Sequence, residues 1–279
     1  MLVEMAIGDA YGAGFEFAPE DYVRKYNDAS GYVSHPRHSL PPGTYTDDTQ
    51  MAIALAEAIL SQKAWTPETI AKYFVKACKR DPREGYAGGF YGFLQRIQNA
   101  EEFLNDIRPN SDKSGGAMRA APVGIFSSPR EVIEKCRIQA AITHDTPDGT
   151  NAAIASSLMI HYFLYDIGPK AELGAFLESH VAGDWSKPWI GFASVKGIDC
   201  VRAAVTAVMA SNSLCELLQE CIAFTGDTDT VAAIAMPAGA SAEEIQNNLP
   251  DAFYNELENG QYGKKYLEEL DKKILALKP

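Results

Sequence analysis

The sequence predicts an all-α protein on three observations. Helix-start signals recur from one end of the chain to the other. Strand-like alternation of polar and apolar residues is nearly absent, the best short example being residues 32–34. Residues 150–157 and 231–240 are rich in small side chains, which lets helix backbones approach closely at the centre of a bundle. We therefore expect an almost all-α helical bundle in which residues 1–279 form one domain.

The clearest helix start is at residues 66–68, where Thr, Pro and Glu follow one another. Threonine is a good N-cap, proline fits the first helical position, and a carboxylate is favoured near a helix N-terminus. We expect this helix to reach about Lys79. Three further starts are predicted because a serine is followed three residues later by a glutamate, as in a capping box. These pairs are Ser128 with Glu131, Ser213 with Glu216, and Ser241 with Glu244.

The C-terminal segment carries an amphipathic stripe with Lys and Glu on its other side. The stripe consists of Leu267, Leu270, Ile274 and Leu277, at spacings of three, four and three residues. This period is that of a helix with one apolar face. We expect the segment to pack against the rest of the protein as a helix.

The composition excludes several functional classes. The chain has 25 Lys and Arg against 37 Asp and Glu, and its formal net charge of -12 makes non-specific nucleic-acid binding unfavourable. No apolar run approaches the roughly 20 residues of a membrane helix, and no secretion signal is visible. We expect no membrane span and a cytoplasmic location. The five cysteines form no Cys-x-x-Cys pair and are predicted to be reduced thiols.

Two acidic segments begin predicted helices. Residues 46–49 read Thr-Asp-Asp-Thr, and residues 226–230 read Gly-Asp-Thr-Asp-Thr. Both precede apolar stretches, and Asp and Thr are good N-cap residues, so simple capping explains each segment taken alone. A cap needs one such residue, whereas the two segments together offer four carboxylates and four hydroxyls.

If the two helix starts meet, their charge in a partly desolvated place requires cations. All the donors are oxygens, which suit Mg²⁺, Mn²⁺ or Ca²⁺ better than zinc. The twelve-residue frame of an EF-hand calcium loop is absent. Capping alone and a site for one or two divalent cations are therefore the two open interpretations.

A third acidic segment, residues 8–16, places Asp9 and Glu16 among glycines and aromatic residues. The glycines allow close backbone approach, and an unpaired carboxylate among apolar neighbours is costly. Glu16 either joins the metal site or is a solvated loop acid.

These three segments, together with Ser-Gly-Gly-Ala-Met-Arg at 114–119 and Thr-His at 143–144, resemble the ADP-ribosylglycohydrolase family. This family includes the dinitrogenase reductase-activating glycohydrolases. The resemblance implies an all-α fold, a compact single-domain orthogonal helical bundle, with two Mg²⁺ or Mn²⁺ ions at the base of a cleft. The implied metal ligands are Thr46, Asp47, Asp48, Asp227, Asp229 and Thr230. The implied catalytic residues are Glu16, Asp47 and Asp229.

The family's chemistry implies cleavage of the bond between C1″ of ADP-ribose and an acceptor, with arginine on a protein as the first choice. Such a reaction passes through an oxocarbenium-like state and needs a positioned water and nearby negative charge. The implied partners are an ADP-ribosylated protein or a small ADP-ribosyl conjugate. A binuclear metal phosphohydrolase and a non-catalytic ADP-ribose-binding module remain as alternatives.

The other substrate contacts are expected on two segments. Residues 111–116 precede a predicted helix, whose first backbone amides can bind a diphosphate. Many relatives carry Gly-Asn-Gly here, whereas this chain has Asp-Lys-Ser, so we expect Lys113 to pair with the diphosphate. The predicted substrate-binding residues are Lys113, Ser114, Gly115, Gly116, Met118 and His144.

Two further segments contain residues that could belong to a site. The loop at residues 81–93 is rich in glycine and aromatic residues and either walls the cleft or forms an ordinary packed turn. His35 and His38 lie in a proline-rich loop without a third metal-binding residue nearby, and we expect both to be surface residues.

Overall fold

A computed structural model describes residues 1–37 and 39–278, so His38 lies outside the described residues. The described residues form fifteen α-helices, two short 3₁₀ helices (Ala121–Ile125 and Lys170–Glu172) and no β-strand, which confirms the all-α prediction. In chain order the α-helices are α1 (Leu2–Ala13), α2 (Glu20–Tyr26), α3 (Asp47–Leu60), α4 (Pro67–Arg80), α5 (Gly88–Arg96), α6 (Ala100–Asp106), α7 (Gly115–Met118), α8 (Pro129–Ala141), α9 (Pro147–Leu164), α10 (Leu173–His180), α11 (Gly197–Ala210), α12 (Leu214–Ala223), α13 (Thr228–Gly239), α14 (Asp251–Glu256) and α15 (Lys264–Leu275).

The sequence predicts four helix starts from a Thr or Ser cap followed by a glutamate, and three of them are confirmed. The N-cap side chains of α4, α8 and α12 each accept a backbone N–H three residues later, at 3.3 Å; they are those of Thr66, Ser128 and Ser213. Helix α4 ends at Arg80, one residue beyond the expected end.

The predicted start at Ser241 and Glu244 is wrong. Ser241 follows the end of α13, and its hydroxyl donates to the carbonyl of Pro237 at 2.8 Å. The Glu244 carboxylate accepts the backbone N–H of Lys170 at 2.5 Å. Both side chains of the pattern therefore serve other partners, and residues 241–249 contain no helix.

The two segments rich in small residues are buried, as predicted. Every residue of α13 is buried, and residues 150–157 of α9 are buried except Asn151. Helix α1 is also buried, except for Glu4. Helices α1 and α13 pack closely because glycines stand at their contact. A Cβ at Gly8 would lie 2.6 Å from Ala232 O, and one at Gly12 would lie 2.6 Å from Asp229 N. This contact sets the C-terminal end of α1 beside the start of α13.

The remaining helices surround this centre. Helix α3 contacts α1, α4, α13 and α15, while α11 and α12 cover α13 and α8 covers α9. In α15, Leu267, Leu270 and Ile274 are buried, which confirms the predicted amphipathic helix, but Leu277 lies beyond its end and is 41% exposed. All five cysteines are free thiols, and four are buried. None of the described helices combines the length and apolarity needed to cross a bilayer.

Candidate functional site

A cleft of about 820 Å³ opens where α3 and α13 begin. This volume lies within the range of small-molecule sites. The cleft is strongly charged, with acids contributed mainly by the turn after α1 and by the starts of α3 and α13. The acids that line it are Glu16, Asp47, Asp48, Asp106, Asp227 and Asp229, and the basic residues are Arg96, Arg108, Lys113 and Arg119.

The acidic cluster of the cleft is formed by residues far apart in sequence. Ligand oxygens of Glu16, Asp227 and Asp229 all lie within 4.8 Å of one another, a spacing at which one cation can contact all three. Asp47 and Asp48 line the same cleft, outside this group of three. Thr230 lines the cleft with Asp47 and Asp48, and α3 contacts α13, so the starts of the two helices meet.

Burial raises the pKa of the acids in this cluster. The pKa of Glu16 rises to about 7, first because the carboxylate is desolvated and then because Asp227 and Asp9 repel its charge. Burial also raises the pKa of Asp229 and of Asp48 well above the ordinary range, and neighbouring carboxylates add to both effects. So many buried acids without a cation are unfavourable in the ionised state.

Two carboxylate oxygens of the cluster test whether these residues fit a metal. Asp48 Oδ2 and Asp229 Oδ1 are buried and have no hydrogen-bond partner among residues 1–37 and 39–278. Buried polar atoms are nearly always paired in native proteins. Carboxylate oxygens with free lone pairs are preferred ligands of hard divalent cations. The donor set at the two helix starts therefore fits a divalent cation.

Asp9 holds the start of α3 in place, a role that the sequence did not reveal. It is fully buried, and its carboxylate accepts the backbone N–H and the hydroxyl of both Thr46 and Thr49, at 2.6 to 3.0 Å. Burial raises its pKa to about 6, and these hydrogen bonds oppose the rise. Thr46, a predicted metal ligand, is thus turned toward Asp9 and is not among the residues that line the cleft. The signal in the sequence that could have revealed this role is an acid, Asp9, within an otherwise apolar helix.

The glycine-rich segment at residues 81–93 walls the cleft and packs against α3, but it is a loop only as far as Ala87, because α5 begins at Gly88. Gly85 has a φ of +103°, and a Cβ there would lie 2.9 Å from Thr46 Cβ and overlap the Asp47 carboxylate. The Asp47 N–H donates to Glu84 O at 3.1 Å. Gly85 and Ala87 line the cleft from the loop, and Gly88, Gly89, Phe90 and Phe93 line it from α5.

His35 is buried, so the expectation of a surface residue is wrong. The Arg37 N–H donates to His35 Nδ1 at 3.0 Å, and His35 Nε2 lies 2.7 Å from Glu16 O. Because Nδ1 accepts, Nε2 carries the hydrogen and donates to the Glu16 carbonyl. His35 therefore holds the turn that presents Glu16.

The predicted substrate-binding residues lie on the other side of the cleft. Lys113 is exposed and lines the cleft with Ser114, Gly115, Met118 and His144. The Ser114 hydroxyl donates to Asp227 Oδ2 at 3.1 Å. Gly116 is not among the lining residues and lies against His144, where a Cβ would be 3.2 Å from the ring Cγ. Helix α7 has only four residues, so its dipole contributes little to anion binding.

The ADP-ribosylglycohydrolase family model matches residues 1–278. ADP-ribosylhydrolase ARH3 of Homo sapiens is 30% identical over 182 residues, covering 58% of this chain and 48% of that protein. ADP-ribosylarginine hydrolase Tri1 of Pseudomonas putida is 25% identical over 290 residues, covering 96% of this chain and 76% of that protein. The chain thus spans about half the length of the ARH3 proteins that it matches.

A solved structure described as an ADP-ribosylglycohydrolase-related protein complex has a TM-score of 0.75 and 21% identity to this chain. The match covers 99% of this chain and 94% of that chain, which shows a shared fold. The family model covers almost the whole sequence, so the resemblance inferred from the motifs is confirmed. The chain belongs to the ADP-ribosylglycohydrolase family.

Proposed function

We propose that this protein is a metal-dependent hydrolase that cleaves the glycosidic bond between C1″ of ADP-ribose and an acceptor. Family membership supports the reaction class. The unpaired, buried oxygens of Asp48 and Asp229 carry the proposal of metal dependence. We propose two divalent cations, Mg²⁺ or Mn²⁺. Their ligands would come from Thr46, Asp47, Asp48, Asp227, Asp229 and Thr230.

When bound, the cations supply positive charge that orients ribose hydroxyls and makes a water more acidic. Glu16 stands beside Asp227 and Asp229, where its carboxylate can accept a proton from the attacking water. Asp47 and Asp229 place negative charge near a sugar that becomes positive as the glycosidic bond breaks. These three residues are the proposed catalytic group.

The charge distribution of the cleft supports ADP-ribose as the bound group. The acids of α3 and α13 would bind the cations, and the cations would in turn contact the ribose whose glycosidic bond is cleaved. Arg96, Arg108 and Lys113 are exposed on the cleft wall and offer cations to a diphosphate. We propose that Lys113 forms that ion pair, and that Ser114, Gly115, Gly116, Met118 and His144 complete the substrate site.

We propose arginine on a protein as the acceptor. Support comes from the match to a protein named ADP-ribosylarginine hydrolase over 96% of this chain. A small ADP-ribosyl conjugate is the second candidate substrate. We also propose that the chain is one domain, because α1 contacts both α13 and the C-terminal helix α15.

The deciding experiment incubates the protein with substrates ADP-ribosylated on arginine, on serine or on DNA, in Mg²⁺, Mn²⁺ or chelator. We expect free ADP-ribose from the arginine conjugate with metal, no release with chelator, and recovery when metal is restored. Phosphate release from ADP-ribose with an intact glycosidic bond would indicate a phosphohydrolase. Binding of ADP-ribose without release from any conjugate would indicate a binding module.

A further inference from the structure

Arg119 is a buried cation in the wall of the cleft. It is 1% exposed, and its guanidinium lies 4.6 Å from the centre of the Phe74 ring. Nε donates to Gln139 Oε1 at 2.7 Å, and Nη2 donates to Gln139 O at 3.0 Å and to Thr143 Oγ1 at 2.8 Å. These acceptors are all neutral, and a cation buried without a carboxylate is costly. Such an arrangement points to a role beyond packing.

The Thr143 hydroxyl connects Arg119 to His144. A guanidinium can only donate, so Thr143 Oγ1 accepts from it. The same oxygen lies 2.7 Å from His144 Nδ1. If Nδ1 carried a hydrogen, the hydroxyl would accept twice, and its own hydrogen would have no partner in the described part of the chain. The consistent arrangement has Thr143 donating to an unprotonated Nδ1.

The His144 ring is fixed at the wall of the cleft. Its backbone N–H donates to Ala140 O at 2.7 Å, and its carbonyl accepts the Thr150 hydroxyl at 3.1 Å. The ring lies against the predicted diphosphate-binding loop, residues 111–116, where a Cβ at Gly115 would be 3.3 Å from Nε2. Burial, followed by the charge of Arg119, lowers the pKa of His144 to about 3. The ring is therefore neutral at physiological pH.

Arg119 also braces that loop through Gln139. While Gln139 Oε1 accepts from Arg119, its Nε2 donates to Gly116 O at 3.0 Å. One guanidinium therefore sets both the ring of His144 and the backbone on which the ring rests.

We propose that Arg119 and Thr143 are positioning residues that hold His144 as the Nε2–H tautomer, so that Nε2 donates a hydrogen bond to an oxygen of the bound ligand. The ligand oxygen belongs to the diphosphate or a ribose of ADP-ribose, and this identity rests on the proposed function. The tautomer itself rests only on the contacts of Arg119, Thr143 and His144. A neutral donor of this kind recognises an oxygen without a change of its own charge between pH 5 and pH 8.

The test is ¹⁵N NMR of histidine-labelled protein, since the two ring nitrogens report directly which one is protonated. The His144 signals are assigned as those missing in His144→Asn. We expect the Nε2–H pattern in the wild type from pH 5 to pH 8. Thr143→Val keeps the side-chain shape without the hydroxyl. We expect it to reduce the Nε2–H fraction and to weaken ADP-ribose binding by about tenfold, measured by calorimetry.

Two variants control this result. Thr143→Ser keeps the hydroxyl and should retain both the tautomer and the affinity. Thr150→Val removes another threonine hydroxyl bonded to His144, but at the backbone carbonyl, so the ring signals should stay in the Nε2–H pattern. Arg119→Gln removes the cation and, where it folds, should shift the ring signals as Thr143→Val does.

An Nδ1–H pattern in the wild type would overturn the proposal. So would a Thr143→Val protein with unchanged ring signals, or equal loss of ADP-ribose affinity in the Val and Ser variants. The NMR result does not depend on turnover. If no conjugate releases ADP-ribose while Thr143→Val still shifts the ring signals, the positioning role stands and the proposed function fails.

Discussion

Helices α3 and α4 begin with the same local chemistry in opposite surroundings. Each has a threonine N-cap whose hydroxyl accepts a backbone N–H at 3.3 Å. In α4 the cap is followed by Pro67 and Glu68, which are both exposed. In α3 it is followed by Asp47 and Asp48, which are only 7% and 3% exposed.

The acids of the two helix starts respond to these surroundings in opposite ways. A hydrogen bond with the Thr66 side chain holds the pKa of Glu68 below its usual value. Burial, followed by repulsion from Asp47, holds the pKa of Asp48 well above its usual value. An ionised acid therefore stabilises the start of α4 and destabilises the start of α3. This difference supports the proposal that the acids of α3 bind a cation, because simple capping would favour the ionised acid.

The largest expected effect on turnover comes from removing an acid at the start of α3 or α13, compared with removing one at the start of α4. Asp48→Asn should lower the rate of ADP-ribose release by about 1,000-fold, because a cation ligand is lost. The metal-free variant should melt no lower than the wild type, since a buried charge has been removed. Asp229→Ala should likewise lose turnover while its helical circular dichroism stays intact. The matched control is Glu68→Gln, with normal turnover. Normal turnover in Asp48→Asn would contradict the metal site.

The glycine loop against α3 gives the next largest effect. Gly85→Ala places a Cβ against Asp47 at a φ of +103°, where strain for a non-glycine residue is on the order of 1 to 3 kcal/mol. We expect a lower melting temperature and reduced turnover, because Asp47 must move. Gly31→Ala is the control, since a Cβ added at Gly31 would have no atom of residues 1–37 and 39–278 within 4 Å and the stability should not change. Equal behaviour of the two variants would argue against this account.

Metal binding should make the stability of the protein depend on pH through the acids of the cluster. Burial raises the pKa of Asp48 and of Asp229 well above the ordinary range and that of Glu16 to about 7, so the folded, metal-free protein holds protons there that the unfolded chain does not. The stability that these protonated acids contribute is present at low pH and is lost as the pH rises through their raised pKa values, near 7 for Glu16. Cations require the ionised acids and displace these protons.

The gain in melting temperature on adding Mg²⁺ should therefore be larger at pH 7.5 than at pH 5.5. At a Mg²⁺ concentration near 100 times Kd, the gain is expected to be on the order of 5 °C at the higher pH. Differential scanning fluorimetry with and without chelator measures it, and groups that do not touch the metal cancel in the difference. A larger gain at pH 5.5 would reverse the predicted sign.

The smallest effect belongs to the ordinary cap. Thr66→Ala should cost about 1 kcal/mol of unfolding free energy, measured by denaturant titration, and leave turnover unchanged. Thr46→Ala removes the corresponding hydroxyl of α3 and should also reduce turnover, since Asp9 then loses a partner that orients the site. If both variants kept full activity, the two helix starts would differ only in burial.

The parts of this structure that depend on neighbouring residues were predictable from sequence. The caps at Thr66, Ser128 and Ser213 need only partners three residues away. The same pattern does not begin a helix at Ser241, whose hydroxyl instead donates to the carbonyl of Pro237, four residues earlier. Local patterns thus locate helix starts but do not exclude competing partners.

The missed site residues depend on partners distant in sequence. Asp9 bonds threonines 37 and 40 residues away, and Arg119 bonds groups 20 and 24 residues away. Neither contact follows from a local period or motif. By contrast, the acids at the starts of α3 and α13 stood out because capping does not require so many.

The glycine contact between α1 and α13 sets limits on protein engineering. Asp9 belongs to α1 and Glu16 to the turn that follows it, while Asp229 belongs to α13. A single methyl group at Gly12 would meet Asp229 N at 2.6 Å and drive the two backbones apart. Libraries aimed at a new acceptor should therefore randomise exposed positions such as Arg96 and Arg108 and leave both glycines untouched.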